Sequence, residues 1–466
     1  MTTAAGCKKA DPAPPDEPPA AATTPDPLPN VVLITLESLR ADHVHALGYD
    51  KPTTPHLDAL ANEGTVFSQA YSVTSWTLPS HASLFTGLYP GAHRVVSPRH
   101  RLHDDHDTLA ELMARHGYQT AGIVSGPFLR KTFNLHQGFE HYDETPASFA
   151  NAQAHDDITN SQMETAIDQF LTQQREPDRP FFLFAYFWDP HYDYIPPPPY
   201  DAAFVPPGAD PIDLTHYETT DTINPDISAA QLDYVVSQYD GEIACTDACL
   251  GRLWQRLKAL DLWDNTVIMV TADHGEEFFE HGQKGHQHNL HVESLHVPLI
   301  VKPAGPAGAA THDDRLVSLV DVLPTLAQWC DLPLEHRLHG RSLLGPPRMA
   351  EHPIFFELTS SWAIRTSDPT SGPIDLSENW AALRRGRYKY IIRDLPAARL
   401  LYDVANDPRE TRPLNLDQAD AARDLAALLV EFQDQMRRRA DQTRQPDAPT
   451  LSPEEKARLS SLGYLP

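Results

Sequence analysis

Short, wholly apolar runs alternate along this chain with stretches whose hydrophobic positions recur every three to four residues. Asn30–Leu36, Pro180–Phe187 and Asn265–Thr271 are continuous apolar runs, the pattern of strands buried on both faces of a parallel sheet, and Val297–Val301 is a shorter one. Thr65–Ser72 and Gln119–Val124 also read as strands. Helices are predicted between them. Thr54–Gly64 opens on a cap and a proline and closes on glycine, and Leu109–His116, 158–174, 229–260 and Val320–Cys330 carry the helical period. This alternation predicts an α/β architecture: a large, mainly parallel β-sheet sandwiched by helices. From about residue 351 the pattern changes to the short strands Ile354–Glu357, Trp380–Arg384, Arg387–Ile392 and Leu400–Asp403, with a hairpin turn at Gly386 and an amphipathic helix over 416–438. A small antiparallel sheet with one packed helix is expected there. The expected division is a Pro-rich disordered tether over 1–28, a catalytic domain over 29–350 and a C-terminal subdomain over 351–466.

The chain is organised around Ser75–Pro90. Pro79 suits the first position of a helix, Gly87 stops it and Pro90 follows as a second breaker. Thr77 therefore stands just ahead of a helix N-terminus, where unpaired N–H groups and the helix dipole favour an anion. A hydroxyl facing a tetrahedral oxyanion there can serve as a nucleophile once a metal lowers its pKa. Ligand sites in α/β folds lie at the carboxyl ends of strands. Three predicted strands end in chemically loaded residues: Glu37–Asp42 after the first, Asp189-Pro190-His191 after Pro180–Phe187, and Asp273–Glu277 after Asn265–Thr271. Glu37, Asp273, His274 and the Thr77 oxygen form a candidate four-ligand site for one divalent cation, of the mixed oxygen and nitrogen kind.

Composition narrows the partners. A net charge of −27 excludes nucleic acid, which such a chain would repel. No apolar run reaches the roughly 18 residues a membrane-spanning helix needs. Cys245 and Cys249 share a helix face and read as buried cysteines rather than a zinc site. Cys7, within Ala4-Ala5-Gly6-Cys7 and ahead of a Pro/Ala/Thr-rich tract, looks like the end of a bacterial lipoprotein signal, although the apolar region such a signal needs does not precede it. The corresponding expectation is a periplasmic or cell-envelope protein with a possible membrane tether through Cys7.

Across residues 29–465 the chain resembles the sulfatase branch of the alkaline-phosphatase superfamily. The matching marks are Asn30–Asp42, Thr54–Gly64, Thr77–Pro90, Asp189–His191, Thr271–Glu277, Gly285-His286 through Val297–Ile300, Val320–Thr325, and in the C-terminal part Leu401–Asp403, Asn406–Pro408 and Leu459–Tyr464. The resemblance implies Thr77 as nucleophile and Glu37, Asp273 and His274 as metal ligands. It implies His191 on the substrate or leaving-group oxygen, His286 on the substrate oxyanion, and His81 in place of an arginine that supports the nucleophile. Ser38 takes the place of a second acidic ligand. The family's formylglycine arises from Cys or Ser within Cys/Ser-x-Pro-x-Arg, whereas this chain reads Thr-Leu-Pro-Ser-His. The Gly-Lys-Trp-His element is also absent, with Gly122–Gly126 near its place. The Glu, Thr and Asp-His set resembles that of lipoteichoic acid synthases and lipid phosphoethanolamine transferases, whose threonine carries a phospho-intermediate.

A metal-dependent hydrolase of a sulfate, phosphate or phosphonate ester is the leading expectation, with phosphoester chemistry favoured by Thr77. A transferase moving a phospho-substituent onto a glycan or lipid, and an inactive glycan-binding homologue, are the alternatives. The cofactor is one divalent ion (Mn²⁺, Zn²⁺, Ca²⁺ or Mg²⁺), with a second possible on His191, His286 and Asp189. Trp76, Trp188, Tyr192, Tyr194 and the Pro196–Pro199 loop are the expected pocket wall, suiting an aromatic or sugar-bearing ester.

Overall fold

A computed structural model describes residues 1, 28–147, 159–306, 308–346, 352–364, 374–394, 396–418, 420–444 and 447–461. The tether over 1–28, with Cys7, falls almost wholly outside them. The main sheet has eight strands: β1 (Asn30–Leu36), β2 (Thr65–Tyr71), β3 (Gln119–Val124), β4 (His141–Asp143), β5 (Phe181–Phe187), β6 (Thr266–Ala272), β9 (Leu299–Lys302) and β10 (Thr311–Ser318). A two-stranded ribbon, β7 (Glu277–Phe278) and β8 (Lys284–Gly285), intervenes in the chain. The order across the main sheet is β10-β2-β9-β6-β1-β5-β3-β4. Every neighbouring pair is parallel except those that β9 makes with β2 and β6. The central strands β1, β5 and β6 are buried at every position, which is why their sequences are continuous apolar runs.

Two strands of the main sheet escaped the sequence reading, as did the short ribbon β7–β8. β10 spells Thr-His-Asp-Asp-Arg-Leu-Val-Ser and lies at the sheet edge with its first half largely exposed, so burial never imposed an apolar pattern on it. β4 is three residues long and half-buried. The helix over 229–260 is found as Ala229–Ala259, with a capping box at Ser228 and Gln231. Residues 170–174 continue the Thr159–Gln169 helix as a wider π turn.

The C-terminal sheet is antiparallel, in the order β11 (Ile354–Ile364), β12 (Ile374–Arg385), β13 (Tyr388–Asp394) and β14 (Ala397–Asp403). The helix Asp420–Ala440 lays Leu425, Leu429, Phe432 and Met436 against it. Their cluster also includes Val73, Leu88, Tyr89 and Ala92, from segments flanking the helix Thr77–Thr86. The second sheet is therefore packed against the segments that carry the candidate nucleophile. Among the described residues no helix is long and apolar enough to cross a membrane.

Candidate active site

Register brings the site together. Leu36 of β1 lies opposite both Phe187 of β5 and Ala272 of β6, so Glu37, Trp188 and Asp273 leave the sheet at one level. The helix Thr77–Thr86 starts beside them, entirely buried, with Trp76 as an extended N-cap residue and Gly87 closing it at φ 64°. Pro79 falls third in the helix rather than first, still within the first turn, where a missing N–H is no loss.

The Thr77 hydroxyl lies 3.1 and 3.3 Å from the two Glu37 oxygens and 3.4 Å from His274 Nε2. His274 Nε2 is 2.9 Å from Glu37 and 3.6 Å from Asp273 Oδ2. Candidate ligand atoms of Glu37, Asp273 and His274 all lie within 4.8 Å of one another, and all three residues are buried. His274 Nδ1 donates to the Gly275 carbonyl at 2.8 Å, which fixes the tautomer that presents Nε2 as a ligand. Gly275 must be glycine, since a Cβ there would sit 2.0 Å from the Glu293 carbonyl oxygen.

The electrostatics call for a cation. Asp273 Oδ1 accepts from the backbone N–H groups of Ser38 and His274, but its buried Oδ2 has no hydrogen-bond partner. Burial and the neighbouring Glu37 push the Asp273 carboxyl well above its usual range. Burial acts the same way on Glu37, but the imidazoles of His274, His191 and His286 outweigh it and hold that carboxyl low. Burial would lower His274, yet Asp273 and Glu37 raise it to about 10. Two carboxylates, an imidazole and a hydroxyl converging in a buried space fit a divalent ion.

The remaining residues take defined places. His81, one turn past Thr77, has Nδ1 2.9 Å from the Thr77 carbonyl and Nε2 2.9 Å from the Thr35 hydroxyl. Burial lowers it to about 4, so it is neutral and grips the backbone of Thr77 rather than its hydroxyl. His191 stacks on Trp188 at 3.8 Å and has Nδ1 2.6 Å from the Tyr192 carbonyl. His286 has Nδ1 3.1 Å from Glu276, and its ring centre is 4.5 Å from that of His274. Burial lowers both to about 3. Glu37, His191 and His286 form a second cluster with ligand atoms within 4.8 Å. Asp189 does not join it: its carboxylate accepts from the Thr159 hydroxyl, so Glu37 is the carboxylate that accompanies the two histidines. Ser38 bonds Glu37 through its hydroxyl at 3.0 Å.

Of the expected pocket wall, Trp76 turns into the core against Phe128, whereas Trp188 and Tyr192 pack directly on His191. Tyr194 is fully buried and donates to Glu276 at 2.9 Å. Three site residues went unassigned in the sequence. Tyr186 donates to Glu37, Thr35 faces His81, and Glu276 holds His286 and Tyr194. A signal was present for the first, because a tyrosine hydroxyl inside the all-apolar run of β5 requires a buried partner.

A sequence profile of the sulfatase family matches residues 29–332, well over half the chain. The chain belongs to the sulfatase family. Among curated relatives it is similar to the multifunctional alkaline phosphatase superfamily protein PehA of Trinickia caryophylli, with 26% identity, covering 84% of this chain and 92% of that one. It is similar also to the human N-sulphoglucosamine sulphohydrolase, with 26% identity and 82% and 84% covered. Among solved structures, the phosphonate monoester hydrolase of Agrobacterium radiobacter shares the fold with a TM-score of 0.66 at 24% identity, covering 89% and 96% of the two chains. The protein BT4656, in complex with its substrate D-glucosamine-2-N,6-O-disulfate, does so with a TM-score of 0.70 at 20% identity, covering 88% and 98%. This sulfatase-family hydrolase thus shares its fold with a phosphonate monoester hydrolase and with a protein whose substrate is a disulfated sugar, and has a ligand cluster suited to the family's divalent metal.

Proposed function

We propose that the protein is a metal-dependent hydrolase of a phosphate or phosphonate ester, with Thr77 in the place of the family's formylglycine and acting as nucleophile. The observation that carries this is the Thr77 hydroxyl, buried at a helix N-terminus against Glu37 and His274. A formylglycine hydrate releases sulfate by elimination through its spare hydroxyl. A threonine ester has no such exit and must be cleaved by water, which is ordinary chemistry for phosphoryl groups.

Glu37, Asp273, His274 and the Thr77 oxygen would hold the ion, which when bound supplies positive charge that acidifies the hydroxyl and offsets the substrate's negative oxygens. Thr77 Oγ1 then attacks phosphorus in line, the new O–P bond forming as the bond to the leaving oxygen breaks. Glu37, already the acceptor of the Thr77 hydroxyl, is placed to receive its proton. His81 and Thr35 hold the nucleophile's backbone still, acting as positioning residues. His191 and His286, both neutral, are the candidate bases for the attacking water, and the proton that Glu37 takes from Thr77 is the one available to the leaving oxygen. Tyr192 and Glu276 orient them through Nδ1. An acceptor alcohol in place of water would make the same site a transferase.

One observation favours a second ion. Glu37, His191 and His286 could ligate one, with each histidine's Nδ1 engaged by an oxygen in the way that orients a metal-bound imidazole.

The test uses metal-stripped protein refilled separately with Mn²⁺, Zn²⁺, Ca²⁺ or Mg²⁺ and offered 4-nitrophenyl phosphate, a phenylphosphonate ester and 4-nitrophenyl sulfate. Metal-dependent turnover of the phosphorus esters, abolished in Thr77→Ala, is expected. Turnover of the sulfate ester alone, or undiminished turnover by the variant, would overturn the reading.

A further inference from the structure

A cavity lies away from the candidate active site. Its volume is 760 Å³, and it opens between the 337–341 loop, the start of β11 and the last turns of the helix Asp420–Ala440. Tyr89 on its wall lies just beyond Gly87, the cap of the ten-residue helix that begins at Thr77. At 1.5 Å per residue that helix separates the cavity from the Thr77 end by about 15 Å.

Arg337, Arg341, Arg438 and Arg439 line this cavity together with His339 and His352, and among the described residues no aspartate or glutamate does. The chain as a whole carries 64 acidic residues against 37 basic ones, so a wall of one positive sign runs against its composition. Among the described residues none of the four arginines is in an ion pair, whereas the adjacent Arg437 pairs with Asp434. Arg439 is held by the Arg337 carbonyl oxygen at 2.9 Å, which brings the two cations together, and burial with Arg337 lowers its pKa below the usual arginine range. Basic residues in the last turn of a helix are explained by the helix dipole, but Arg337 and Arg341 come from a different segment.

Aromatic rings form another part of the wall. Phe355 and Phe432 stack with centroids 3.9 Å apart, and Tyr89 meets Phe432 edge-on at 5.1 Å and stacks on His339 at 5.5 Å. The loop is seated by its own backbone, with His339 N–H donating to the Gly87 carbonyl at 3.0 Å and His339 Nδ1 accepting from Tyr89 N–H at 3.1 Å. This is a concavity lined by both cationic and aromatic side chains. Guanidinium groups match the planar pairs of oxygens on a sulfate or phosphate group, and ring faces and edges suit the C–H surface of a sugar.

We propose that this cavity is a non-catalytic binding site for a short anionic saccharide bearing sulfate or phosphate groups, separate from the Thr77 site. The concave, half-open shape favours a saccharide segment over a membrane, and the strongly negative remainder of the chain would repel both an anionic bilayer and a long nucleic acid. Nothing in the proposal depends on the chemistry at Thr77.

The experiment measures equilibrium binding of a sulfated, heparin-derived hexasaccharide, its fully desulfated counterpart and phosphatidylglycerol vesicles to the full chain carrying Thr77→Ala, at low and at physiological salt. The same measurement is made after adding Arg337→Gln, Arg341→Gln and Arg438→Gln together. The sulfated hexasaccharide is expected to bind, more weakly at higher salt. The triple change is expected to lower its affinity at least tenfold with the unfolding temperature unchanged, and the desulfated chain is not expected to bind. Should the glutamine variant lose stability, the three arginines are changed to lysine, which keeps the charge but loses the planar fork, and a smaller loss of affinity is expected. Affinity unchanged by the arginine substitutions, equal binding of the desulfated chain, or arginine-dependent capture of vesicles without the hexasaccharide would each overturn the proposal.

Discussion

Replacing Lys389 by methionine removes the cation facing a buried carboxylate where the C-terminal sheet meets the rest of the chain. Lys389 Nζ donates to both Glu410 oxygens, at 2.7 and 2.9 Å, and Glu410 Oε2 also meets His291 Nδ1 at 3.1 Å. Lys389, Glu410 and His291 are 1%, 2% and 5% exposed, so solvent cannot take over the lost charge. Removing one partner of such a pair leaves the other charge desolvated and costs about 3–5 kcal/mol. His291 offers partial relief, because it can take up a proton beside the uncompensated carboxylate.

The pH dependence follows from signs. Burial raises the Glu410 carboxyl, but Lys389 and His291 outweigh it and hold it below the ordinary glutamate value. A depressed carboxyl stabilises the fold above its unfolded pKa and loses that contribution as pH falls through its folded value, so Glu410 itself contributes evenly between pH 8 and pH 6, whereas His291, held below its ordinary value chiefly by burial, weakens the native fold modestly as pH falls toward 6. In Lys389→Met the penalty should be full at pH 8 and smaller at pH 6, as His291 protonates. Urea unfolding at both pH values measures this. Lys389→Met with Glu410→Gln, which removes the orphaned charge, should recover most of the loss. A single-variant cost below about 1 kcal/mol at pH 8 would refute the reasoning, as would a double variant less stable than the single.

Thr35→Val leaves His81 Nε2 buried without its 2.9 Å partner, so a loss of about 1–3 kcal/mol in unfolding free energy is expected, with kcat falling and KM held. Gly275→Ala forces a Cβ to within 2.0 Å of the Glu293 carbonyl oxygen and displaces the carbonyl that orients His274; metal affinity measured by competition with a chelator should fall about 10–100-fold. Mn²⁺ at a hundred times its dissociation constant should stabilise the protein by about 2.7 kcal/mol, read as a rise in unfolding temperature. Asp273→Asn should abolish that rise while raising the unfolding temperature of the metal-free protein, because it removes a buried charge whose Oδ2 has no partner.

The parts of this molecule legible in its sequence are those where burial constrains every position. β1, β5 and β6 are apolar throughout because both faces are covered, and their carboxyl ends could be read directly as the edge bearing Glu37, His191 and Asp273. β10 was not legible because an exposed edge strand tolerates His312, Asp313 and Asp314. Thr77, Glu37, Asp273 and His274 do converge, since each lies next to a strand end or at a helix start that the pattern marks. What decides their orientation was not visible: Thr35, Tyr186 and Glu276 act through side-chain hydrogen bonds between segments far apart in the chain, and no local pattern encodes such pairings. For the same reason Asp189, two residues from His191, turned out to be bonded to Thr159 instead of facing the ligand space.

The most direct measurement is the covalent state of Thr77 during turnover. Protein loaded with Mn²⁺ is mixed with 4-nitrophenyl phosphate, quenched in acid within the first turnovers and digested, and the peptide carrying Thr77 is sequenced by mass spectrometry. A phosphoryl group on Thr77, accumulating with the release of 4-nitrophenol and absent without metal, is the expected result. Steady turnover with Thr77 unmodified at every quench time, and retained in Thr77→Ala, would contradict a threonine nucleophile.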